Sequence, residues 1–221
     1  MIVIANWKEN LTFNKVKEWV YTFNNLLENY KFINTNIVVC PGYLYINYLK
    51  DNLKYVKIGA QNVSQFEEGA FTGDVSAAQL KEFASYAIIG HSERRINFNE
   101  AGSVILEKTN RCLENNIIPV ICISRIEQLK ILKSISNVVI AYEPIENIGI
   151  GAPAKHEIIE KIVNKTKNLN QSLKIIYGGS VSENNISDLA NINNLEGFLV
   201  GTDSLNANKF FGLCKICDTL I

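Results

Sequence analysis

Eight short apolar runs recur along the chain, about one for every 28 of its 221 residues, and this spacing limits the possible folds more than any other feature. The runs are Ile2 to Ala5, Ile37 to Cys40, Lys57 to Ala60, Tyr86 to Ile89, Ile118 to Ile123, Val138 to Tyr142, Lys174 to Tyr177 and Gly197 to Val200. They are nearly continuous in apolar character, as strands covered on both faces are, and they do not alternate. Helical patterns fill the intervals, among them Val16 to Tyr30, Leu44 to Leu53, Val104 to Asn115, His156 to Leu169 and Asn206 to Leu220. Ser76 to Gln79 and Ser124 to Glu127 each read as a capping box, a hydroxyl three residues before a side chain that returns the hydrogen bond. Eight strands alternating with eight helices make an α/β chain, and a short variant of the closed (β/α)8 barrel accommodates them. An open doubly wound sheet is the alternative. It would place G-x-G-x-x-G in the first strand-to-helix turn, which here reads Asn6-Trp7-Lys8-Glu9-Asn10. No linker, low-complexity tract or composition break divides the chain, so residues 1–221 are expected to form a single domain.

Charge and cysteine content exclude several classes. Lys+Arg 22 against Asp+Glu 22 gives no net charge, so nothing favours a nucleic acid or an anionic membrane as partner. The Met1 to Ala5 run is too short for a signal or spanning segment, and the cytoplasm is the expected location. Five cysteines argue against a disulfide framework. Cys214 and Cys217 have CxxC spacing without a second pair, and the only histidines are His91 and His156. Two small side chains in an apolar helix explain the pair better than a metal does.

Polar groups follow the apolar runs. In a parallel barrel those ends converge at one mouth, where catalytic residues gather. Glu143 precedes Pro144, whose ring keeps it extended and so directs its carboxylate at the mouth; taken alone, an ion-paired strand-end glutamate is the preferred reading. His91 begins a helical turn, Ser92 to Arg95, where the helix dipole disfavours imidazolium and leaves a neutral ring able to donate to a developing oxyanion. Alone it reads better as a satisfied core histidine. Lys8, with Asn6 to orient it, can hold an anion or a developing negative charge; the simpler alternative is a solvated lysine. Gly178, Gly179 and Gly201 follow the last two runs, where backbone amides of many barrels hold phosphate, and could otherwise be turn glycines. Two connections, Gln61 to Asp74 and Pro144 to Pro153, are longer than packing requires and are expected to act as lids or interface arms.

Asn6-Trp7-Lys8-Glu9-Asn10, Gly90-His91-Ser92-Glu93-Arg94-Arg95, Ala141-Tyr142-Glu143-Pro144 and Tyr177-Gly178-Gly179-Ser180-Val181 together resemble the triosephosphate isomerase family, in the family's order. The resemblance runs from Asn6 to Leu205 and includes Gln61-Asn62, Thr72-Gly73-Asp74 and Gly197 to Gly201. It implies interconversion of dihydroxyacetone phosphate and glyceraldehyde 3-phosphate, with Glu143 as base, His91 as electrophile, Lys8 and Asn6 stabilising the enediolate, and Ser92 and Glu93 in support. It further implies phosphate binding at Gly149, Ser180, Gly201 and Thr202, no metal or organic cofactor, and a homodimer, or alternatively a tetramer, built through the loop that carries Thr72. The chain departs from the family pattern at Glu146, where a tryptophan is usual, at Thr202, where a second glycine is usual, and at Ser124-Arg125. The rivals are another phosphosugar barrel enzyme and a non-catalytic barrel that keeps only a phosphate pocket.

Overall fold

The computed structural model describes residues 1–132, 135–147 and 151–220. Its strands are β1 (Ile2–Asn6), β2 (Asn36–Cys40), β3 (Lys57–Ala60), β4 (Tyr86–Ile89), β5 (Ile118–Ile123), β6 (Val139–Tyr142), β7 (Lys174–Tyr177) and β8 (Gly197–Val200). Each pairs in parallel with the next, and β1 closes on β8 through Ile2 opposite Gly197 and Ile4 opposite Leu199. The molecule is a closed (β/α)8 barrel of the TIM type, as the spacing of the apolar runs predicts, and all eight runs become strands within a residue of their expected ends.

Strand side chains feed two apolar layers, because successive residues point to opposite faces. Ile4, Val38, Ile88, Val120, Ile176 and Leu199 fill the barrel interior, while Val3, Val39, Ile89, Ile121, Ile175 and Val200 pack outward against the helices. Burial on both faces is why the runs are continuous rather than alternating. The helices are α1 (Phe13–Glu28), α2 (Ile46–Asn52), α3 (Ala77–Leu80), α4 (Ser92–Asn97), α5 (Gly102–Glu114), α6 (His156–Leu169), α7 (Ile186–Leu189) and α8 (Ala207–Thr219). Cys214 and Cys217 are buried in α8. Among the described residues no helix is long and apolar enough to cross a membrane.

The outer layer departs from the expected one helix per strand. Two helices, α4 and α5, follow β4, and β5 is followed by a 3-10 segment, Ile126–Leu132. The Ser76 capping box forms as expected. The second does not: the Gln128 carboxamide, not Glu127, accepts from the Ser124 and Arg125 amides at 2.7 and 3.0 Å. Spacing three residues apart serves an α-helical first turn, whereas this connection winds as 3-10.

Candidate active site

Because the strands all run one way, the groups that follow them share one rim. Asn6 ends β1 and is buried. Lys8 turns off the strand with φ +52°, a left-handed conformation that costs a non-glycine residue on the order of 1–3 kcal/mol and must be held by its surroundings. Asn6 Oδ1 accepts the Lys8 amide at 3.2 Å, and the Gln61 carboxamide donates to the Lys8 carbonyl at 2.9 Å. The Lys8 ammonium is thereby directed at Glu93 Oε1, 2.6 Å away.

His91 reaches the rim through a turn only glycine can make. Gly90 has φ +64°, and a Cβ on it would lie 2.7 Å from Ile105 Cδ1. Arg95 braces the turn, donating to the Gly90 carbonyl at 2.7 Å and to the Cys122 carbonyl of β5 at 2.8 Å. His91 caps α4, its Nδ1 accepting the Glu93 amide at 3.2 Å. That bond assigns the proton of a neutral ring to Nε2, which faces Glu143 Oε1 at 3.2 Å. Burial, the largest single influence, pushes the His91 pKa down, but the charge and hydrogen bond of Glu143, helped by Glu93, raise it above the ordinary value. This direction is opposite to the one expected from the helix dipole, a reading that left out the carboxylate in contact.

Glu143 is itself buried, with its amide donating to Ile123 O at 2.8 Å. Gly178 leaves room for it, since a Cβ there would come within 2.9 Å of Glu143 Cγ. The second oxygen, Oε2, is buried with no hydrogen-bond partner among the described residues. A buried carboxylate oxygen left unpaired is costly, and it is also free to take a proton. Cys122 sits beside this carboxylate; burial, and then Glu143, push its thiol pKa well up, so it stays protonated. Sequence reasoning missed Cys122, because its place beside Glu143 follows only from the β5–β6 register that sets Cys122 opposite Ala141 and Ile123 opposite Tyr142.

The glycine loops complete the rim. Ser180, with φ +53°, accepts the Gly151 amide at 3.2 Å and donates to the Asn147 carbonyl. Tyr177 Oη accepts the Ala154 amide at 2.8 Å, tying the connection after β6 to β7. This second clamp also escaped the sequence reading, although Tyr177 lay within a motif it singled out. Thr202 opens a 3-10 turn, Thr202–Leu205, outside the positive-φ region, so its β-branched side chain is tolerated where the family usually has glycine. The first amides of such a turn lack partners within it and point outward. Trp19 Nε1 fixes the turn by donating to the Ser204 carbonyl at 3.0 Å.

Asn6, Lys8, His91, Glu143, Ser180, Gly201 and Thr202 all line one cleft of about 420 Å³. Ser92 is the buried first residue of α4, and Glu93 pairs with Lys8 behind the cleft. Thr72 does not line it; it stands exposed on the loop after β3. Gly149 lies outside the described residues. A larger depression, about 710 Å³, opens among the amino ends of the strands and contains none of the motif residues. In this fold chemistry belongs to the opposite mouth, so the smaller cleft is the candidate site.

A carboxylate with an unpaired oxygen, an imidazole in contact with it and an ammonium, set together at the carboxyl mouth of a parallel barrel, make an arrangement suited to an acid–base enzyme. A sequence model of the family described as triosephosphate isomerase matches residues 1–217. Among similar proteins are the triosephosphate isomerases of Mesomycoplasma hyorhinis, 39% identical over 97% of this chain and 98% of the relative, and of Mycoplasmopsis pulmonis, 33% identical over 96% of each. That of a Dehalococcoides mccartyi strain is 32% identical over 97% of this chain and 95% of the relative. The chain belongs to the triosephosphate isomerase family.

Proposed function

We propose the following division of labour for the interconversion of dihydroxyacetone phosphate and D-glyceraldehyde 3-phosphate, the step this family contributes to glycolysis and gluconeogenesis. Glu143 takes a proton from one carbon of the substrate and returns it to the neighbouring one. The observation that carries this reading is the Glu143 carboxylate, buried in the cleft with Oε1 on His91 Nε2 and Oε2 unpartnered. His91 Nε2–H donates to the substrate oxygen. An oxygen entering between His91 and Glu143 replaces the carboxylate as acceptor and removes one of the influences that raise the imidazole pKa, the hydrogen bond to Glu143. Lys8 and Asn6 offset the negative charge that develops on the enediolate.

Phosphate is held by backbone amides at Gly201 and Thr202 and by the Ser180 loop, a reading supported by their position around the same cleft. The connection from Pro144 to Pro153 then covers the intermediate and keeps water from it. The proton transfers themselves need no organic cofactor. The closed β1–β8 seam supports one domain over residues 1–221. The half-exposed stacked pair Phe66 and Phe71 lies on the same loop just before Thr72 and supports a homodimer through that loop. A cytoplasmic location follows from the glycolytic substrates. A coupled assay in both directions on the two triose phosphates tests the central reading: turnover is expected with each, and turnover of neither would overturn it.

A further inference from the structure

Three hydrogen bonds meet around Asn147, where the connection after β6 leaves the barrel. Its carboxamide Nδ2 donates to the Ala152 carbonyl at 3.1 Å, joining the outgoing stem to the returning one. Its own carbonyl accepts from the Ser180 hydroxyl, and Ser180 Oγ accepts the Gly151 amide at 3.2 Å. The result is a ring that joins both stems to the loop after β7. Only the Nδ2 bond depends on the side chain at 147.

The two stems differ in what else holds them. The returning stem has buried Ala154, with its amide on Tyr177 Oη. The outgoing 3-10 turn, Ile145–Asn147, buries no side chain; Ile145 and Glu146 are both exposed. With no apolar anchor there, the carboxamide is the turn's own side-chain hold on the returning stem, beside the Ser180 hydroxyl that reaches its backbone from the loop after β7.

We propose that Asn147 is a positioning residue whose carboxamide clasps the two stems together and holds Gly151 and Ser180 in place over the substrate phosphate. This rests on the reaction assigned above. A loosened clasp exposes the enediolate phosphate to elimination. A lone pair of the enediolate oxyanion then forms a carbonyl, the old C=C pair shifts to make a new C=C bond to the phosphate-bearing carbon, and the C–O bond breaks, with phosphate departing with that bond's electrons. The enol left behind ketonises to 2-oxopropanal, and no oxidant or reductant enters.

Asn147→Ala and Asn147→Asp in the full chain test the clasp. Aspartate keeps the shape of asparagine but cannot donate when ionised. Both variants are therefore expected to release inorganic phosphate about two- to ten-fold more often per isomerisation, as befits one neutral hydrogen bond. KM should rise more than kcat falls. Amide exchange at Gly151 should quicken by a similar factor in both, a measurement that needs no turnover. An Asp variant matching the wild type in phosphate release and exchange, or an Ala variant doing so, would overturn the clasp while leaving the reaction assignment standing. A wild-type chain that isomerised neither triose phosphate would overturn the reaction assignment, and the clasp with it.

Discussion

The 3.2 Å contact between Glu143 Oε1 and His91 Nε2 couples the two residues, and each can be tested through the other. Glu143→Gln keeps the shape and removes the base, so kcat should fall about 10²–10⁴-fold, the usual contribution of general-base catalysis; circular dichroism checks that the fold survives. The same substitution removes the carboxylate that raises the His91 pKa. Labelled-imidazole NMR should therefore find the wild-type step above the ordinary value of about 6.5 and a lower one in the variant. An imidazole with a raised folded pKa adds stability that is complete below its unfolded pKa and disappears as pH rises through the folded one. The pH dependence of unfolding should accordingly lose this contribution in Glu143→Gln, and an unchanged NMR step would contradict the coupling.

Elements are held to one another by a few buried polar contacts. Lys108 of α5 is buried, donates to Asn62 Oδ1 at 2.7 Å and pairs with buried Glu100, which also accepts from Arg94. Burial pushes the Lys108 pKa down, against the pull of Glu100. Lys108→Met would leave Glu100 only Arg94, at a cost of about 3 kcal/mol, the lower end for breaking a buried pair; urea denaturation measures it. The connection after β6 carries another expectation. Exposed Glu146, which departs from the family pattern, offers no apolar anchor, so closure should depend on phosphate contacts. A transition-state mimic bearing phosphate should order the loop and one lacking phosphate should not, as fluorescence from a loop probe would report. The eight strands were legible in sequence because a strand buried on both faces is a continuous apolar run, and Lys8, His91 and Glu143 were legible because each lies within three residues of the end of one. Cys122 and Asn147 were not. Their neighbours come from strand register and loop course, which no local pattern encodes, and the 3-10 winding after β5 left the periodicity equally uninformative.

The whole molecule adds a prediction about assembly. If the loop bearing Thr72, Phe66 and Phe71 joins two copies, sedimentation should give twice the chain's 24.8 kDa, and a Phe71→Lys substitution should shift the mass toward one chain by placing a desolvated charge in the contact. The seam between β1 and β8 bears on biosynthesis. The second residue of the chain, paired early with Asn36, finds its other strand partner only at the one hundred and ninety-seventh, Gly197, whose missing Cβ would otherwise lie 1.8 Å from the Ile2 carbonyl oxygen. Ribosomes add roughly 5–20 residues per second, so the first strand waits on the order of ten seconds or more with one row of amides and carbonyls open to any passing edge. The nascent chain must survive that interval, and a ribosome stalled before residue 197 would hold a sheet that cannot close.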